Sequence, residues 1–188
     1  MGARNCRWRA FRLALGPILL AAAAHAQDLP EAEGASAARV LLKGAPGAAV
    51  RRAVEGARLR LMEPSCQKLF SAFTDPSGQP LQARLDAMGM NAAQYVSVVV
   101  FVDGASQKAC RSGDALGGTQ PGSRVVALCG SAFAETERND TRLAEAIVIH
   151  ETLHSLGLGE NPPSSQEITS RVLGSCQQRA AIAGVAGR

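Results

Sequence analysis

Residues 141–160 read TRLAEAIVIHETLHSLGLGE, and this stretch decides how the rest is read. Asp140 or Thr141 can cap a helix that runs to about Gly157. Along it Leu143, Ile147, His150 and His154 recur at steps of three and four, so they share one stripe, expected to face the core with the histidines at its open end. Two imidazoles one turn apart on one face can reach a single metal ion, and zinc is the ion that most often takes such a pair. Glu151 follows the first histidine, where a carboxylate reaches the water beside the metal rather than the metal itself. Thr152, Leu153, Ser155 and Leu156 fill the motif without a charge, and Ile147, Val148 and Ile149 precede it. A ligand helix in the floor of a cleft needs such company, because an unpaired buried charge is strongly destabilising. The chain holds three histidines, and the third, His25, lies in a leader segment.

That leader has the three parts of a secretory signal peptide over residues 1–26. Arg4, Arg7, Arg9 and Arg12 form a positive start without an acidic residue, and Leu13 to Ala24 are apolar. The apolar run is shorter than the about 20 residues that span a bilayer. Ala24-His25-Ala26 offers small residues flanking a cleavage point, so the mature chain is expected to begin at Gln27. The chain has 20 Lys+Arg against 16 Asp+Glu and a pI near 9.0. The four leader arginines account for the whole excess, so the mature chain is electrically balanced and has no electrostatic case for nucleic acid. No membrane association is expected after cleavage, the product is exported to a periplasm or the extracellular space, and no feature specifies an oligomer.

The mature part keeps Cys66, Cys110, Cys129 and Cys176. An even number in an exported chain points to two disulfides, whose pairing is open in three ways. Cys110–Cys129 would tie neighbouring segments and Cys66–Cys176 would clamp the ends of the domain, and these are the favoured pairs. A cysteine zinc site is the weaker alternative, since no CxxC spacing occurs.

At 188 residues the chain suits one domain of α+β class, with no internal repeat. Residues 27–45 are expected as a flexible leader, 46–180 as the folded domain and 181–188 as a frayed end. Helices are expected over 47–62 despite Gly56, over 66–73, over 81–88 and after the Ser164-x-x-Glu167 capping box. Asp75-Pro76-Ser77-Gly78 reads as a turn. Tyr95 to Val102 is the strongest strand signal, apolar enough to be covered on both faces, and Arg124 to Cys129 is a second strand. Residues 103–123 are expected as a long glycine-rich loop.

From His150 to Glu160 the sequence resembles the zincin metallopeptidases, and in particular the extended metzincin signature HExxHxxGxx followed by a third ligand. Gly157 matches the glycine that turns the chain off the helix, and Glu160 stands where that family has His or Asp. Met62, Met88 and Met90 all precede the motif, so no methionine turn follows it. The resemblance implies a small zincin-like domain whose short mixed sheet packs with an active-site helix, with Zn²⁺ held by His150, His154 and Glu160 and Glu151 as general base. Glu167 competes with Glu160 as third ligand, and Asn161 could bind weakly or orient Glu160. The implied activity is hydrolysis of a peptide or protein substrate, drawn up along an edge strand that Tyr95–Val102 or Arg124–Cys129 would supply. The alternative is an exported zinc-binding or protein-interaction domain without turnover.

Overall fold

A computed structural model of the chain describes residues 38–177. The signal peptide expected over 1–26 and the end expected to fray over 181–188 lie outside the described residues. Within them run β1 (Arg39–Val40), α1 (Gly44–Leu61), α2 (Pro64–Ala72), α3 (Leu81–Ala87), α4 (Ala92–Val96), β2 (Val100–Asp103), α5 (Lys108–Ser112), β3 (Gly117–Thr119), β4 (Val125–Leu128), α6 (Gly130–Asn139), α7 (Thr141–Ser155) and α8 (Ser165–Ser175). The fold is mixed α+β, as expected. Its four strands lie in the order β1-β2-β4-β3. β1, β2 and β4 are parallel, and β3 returns antiparallel to β4 as an edge strand.

The main strand expectation is corrected. Tyr95 and Val96 belong to α4, and the strand starts only at Val100. Asn91 explains this: its side chain accepts from the Gln94 amide at 2.9 Å, while the Gln94 side chain accepts from the Asn91 amide at 2.9 Å. That reciprocal cap satisfies the first-turn donors and overrides the β preference of the valines that follow. Along β2 only Phe101 is fully buried, so the strand alternates rather than being sealed on both faces. The segment 103–123 is not one loop, since it holds α5 and β3. The leader ends earlier than residue 45, because β1 pairs with β2 and Leu42 is buried. Helix α6, which the sequence did not signal, buries Phe133 and pairs Glu137 with Arg52 at 2.9 Å.

Both favoured disulfides are present, Cys66–Cys176 and Cys110–Cys129. Two disulfides fit an oxidising, exported environment. No described helix is long and apolar enough to cross a membrane.

Helix α7 packs against α1, α6, α8, β3 and β4, which leaves it buried on nearly every side. Beneath it, Arg60 of α1 donates through Nε to the fully buried Glu145 carboxylate at 2.5 Å, and through Nη1 to the Cys176 and Gln177 carbonyls at 2.8 Å each. Gly56 makes this packing fit: a Cβ there would lie 2.1 Å from Glu145 Oε1 and 2.9 Å from its Cγ. Gly56→Ala gains roughly 1 kcal/mol of helix propensity. It also displaces a carboxylate that no solvent can rescue, at a cost of about 3 kcal/mol. Equilibrium unfolding in denaturant is expected to show a net loss, and an unchanged midpoint would mean that Glu145 relocates freely.

Candidate metal centre

Asp140 caps α7, its Oδ1 accepting from the Leu143 amide at 2.9 Å. Leu143 and Ile147 are only half-buried, whereas Ala144, Val148 and Leu153 are sealed in the core. The expected core-facing stripe is thus covered at His150 and His154 and only partly covered at Leu143 and Ile147, and Ile147 and Glu151 together line a cavity beside the helix. The helix ends at Ser155 and the chain turns at Gly157, whose φ of 109° strains any residue with a Cβ. The Gly157 amide bonds the His154 carbonyl at 2.8 Å and the Leu158 amide bonds the Leu153 carbonyl at 3.1 Å, which uses up the last helix acceptors. The Arg84 guanidinium covers the turn, 3.2 Å from where a Gly157 Cβ would sit.

This turn brings Glu160 back over the histidines. Glu160 Oε1 lies 3.3 Å from His154 Nε2 and 3.7 Å from His150 Nε2, and the two Nε2 atoms are 2.9 Å apart. A tetrahedral ion bound at about 2.0–2.1 Å has ligand–ligand edges of about 3.3 Å, so three side chains from a helix and its trailing loop already stand near that triangle. His150, His154 and Glu160 form a group that could hold a metal ion.

The tautomers agree with that role. His154 Nδ1 lies 2.7 Å from the Leu158 carbonyl, which can only accept, so Nδ1 carries the proton and the Nε2 lone pair faces the space enclosed with His150 and Glu160. His150 Nδ1 lies 2.9 Å from the Thr169 hydroxyl on α8, which can accept in the same way. Burial, reinforced by the neighbouring His154, lowers the His150 pKa to about 4, so this imidazole is neutral at neutral pH. Each ring thus has an outer partner that fixes its orientation.

Glu151 points elsewhere. Its carboxylate is buried and Oε2 has no hydrogen-bond partner. Burial raises its pKa and Glu160 adds to this, while the Thr119 hydroxyl and His154 pull it down. It faces a cleft of about 490 Å³ lined also by His150, His154, Glu160 and the strand Gly117–Thr119. An unpartnered buried carboxylate oxygen beside two imidazoles is a proton acceptor that lacks only its donor.

Of the competing ligands, Glu167 is exposed, its amide bonded to the Ser164 hydroxyl at 3.2 Å and its carboxylate 4.0 Å from Arg171. It stands outside the metal-binding group. Asn161 is exposed and holds a left-handed backbone at φ 63°. Tyr95 packs under α7, its hydroxyl donating to the Ser155 carbonyl at 3.2 Å, so it supports the helix from below. The strand beside the site is β3, neither β2 nor β4, which corrects the expected edge. Sequence reasoning missed Thr119, Thr169 and the Leu158 carbonyl, because threonine and main chain carry no motif. The chain matches no protein-family profile, no curated protein and no solved structure.

Proposed function

We propose that the chain is an exported zinc metallopeptidase of metzincin-like zincin type. The observation that carries this reading is the convergence of His150, His154 and Glu160 at near-tetrahedral spacing next to the unpartnered Oε2 of Glu151. Two imidazoles and a carboxylate are a donor set that suits zinc and leaves a fourth position open. A bound zinc ion supplies a Lewis acid that polarises a peptide carbonyl and brings the pKa of water down to about 7. Glu151 takes the proton of the attacking water on its carboxylate and passes it to the leaving amine nitrogen. The buried setting keeps that carboxylate poorly solvated, which makes it a stronger proton acceptor. Gly117 and Gly118 present bare backbone on the edge strand, so an extended peptide or protein segment can pair along β3 and place its carbonyl between the histidines and Glu151. The two disulfides and the leader over 1–26 support a periplasmic or extracellular site of action.

Zinc per chain, measured by elemental mass spectrometry on oxidised protein beginning at Gln27, tests the centre. About one ion is expected. His154→Ala and Glu160→Ala should lose it, while Glu167→Ala should keep it. Zinc retained by Glu160→Ala would move the third ligand elsewhere, and none in any form after supplementation would leave an exported binding domain.

A further inference from the structure

We infer that Thr119, on the edge strand, is a positioning residue for Glu151, so that the strand meant for substrate also sets the proton acceptor. The inference rests on the peptidase reading for its consequence, though its geometry stands without it. Two buried side-chain oxygens among the described residues have no hydrogen-bond partner, Thr119 Oγ1 and Glu151 Oε2. Both belong to residues lining one cleft, from opposite elements, β3 and α7. Strand alternation explains why they meet. A Cβ on Gly117 would lie 3.4 Å from Glu151 Oε1, while one on Gly118 would face Gln107 on the other side. Thr119, two residues beyond Gly117, therefore shares the face that looks onto Glu151.

A hydroxyl sealed without a partner is unfavourable where valine would fill the same shape, and a carboxylate oxygen so placed is worse. The two are complementary, since one can donate and the other can only accept. A small rotation of the threonine closes the bond, leaving the second carboxylate oxygen for the water's proton. Gly117 keeps the approach open, because a side chain there would strike Leu128 at 2.7 Å and crowd the carboxylate. Pairing of a peptide on β3 would then press Thr119 and Glu151 into register in one movement. As a β-branched residue serving only the short strand, Thr119 would give its hydroxyl no task.

Thr119→Val, Thr119→Ser, Glu151→Gln and the Thr119→Val/Glu151→Gln double variant separate these roles. In the zinc-loaded enzyme Thr119→Val should lower kcat about tenfold, a part of what a general base contributes, with KM and zinc content unchanged. Thr119→Ser should restore the rate. The second readout is unfolding of the metal-free proteins in denaturant, which needs no turnover. There Thr119→Val should act differently in the wild-type and Glu151→Gln backgrounds, because the hydroxyl's partner has changed. Additive effects, or zinc lost from Thr119→Val, would overturn the inference. A wild type without peptidase activity would overturn the proposed function alone, and the unfolding cycle would still decide whether Thr119 holds Glu151.

Discussion

Glu151→Gln is expected to keep its zinc and to lose peptide-bond hydrolysis by about 10²- to 10⁴-fold, the span that a positioned general base contributes. Glutamine preserves the shape and burial of the side chain but cannot accept the water's proton. The metal group is untouched, since the three donor atoms belong to His150, His154 and Glu160. The variant should also be at least as stable as the wild type. Glu151 is 5% exposed and leaves Oε2 unpartnered, so the native carboxylate is a liability that folding tolerates and an amide relieves. Loss of turnover together with retained metal and undiminished resistance to denaturant is the signature of a group kept for chemistry. Steady-state kinetics, elemental analysis and a denaturant curve on one preparation check all three. Equal turnover by the two proteins would remove Glu151 from the mechanism. Zinc loss would instead make it part of the metal's support.

What the sequence disclosed about this centre follows from how local each feature is. His150, Glu151, His154, Gly157 and Glu160 lie within eleven residues, and one helix followed by one turn brings them together. Helical periodicity and the steric needs of glycine are enough to read that much. Thr119 and Thr169 reach the same place from β3 and α8, and no local pattern marks a threonine that faces a carboxylate or an imidazole. At Tyr95 two local signals compete. Tyr95 to Val102 is rich in valine with two aromatics, yet the Asn91–Gln94 cap just upstream forms both of its hydrogen bonds and starts a helix. Gly56 carried the opposite lesson. As a helix-interior glycine it reads as a weakness, whereas in the fold it is the space into which Glu145 fits.

Removal of the Cys66–Cys176 bond should be the more damaging of the two disulfide losses, costing about 4 kcal/mol and lowering Tm by roughly 10 °C. The bond spans 110 residues against 19 for Cys110–Cys129. In the chain-entropy account that difference in loop length alone is worth about 1.5 kcal/mol. Its surroundings add to the effect. Cys66 and Cys176 are buried, and the Cys176 carbonyl accepts from Arg60, whose Nε holds Glu145 on α7 five residues before His150. Helix α8, which ends at this bond, also carries Thr169 against His150 Nδ1. The paired Cys66→Ala/Cys176→Ala variant should therefore unfold at lower denaturant and bind zinc more weakly, since a ring freed from its outer partner is a poorer ligand. Cys110→Ala/Cys129→Ala should lose less stability and keep its zinc affinity, because α5 contributes no buried residue and no metal donor. Denaturant curves and zinc titrations on the two pairs check this. The reverse order would place the fold's tie at the cleft rim, and the support of the metal centre would then not run through α8.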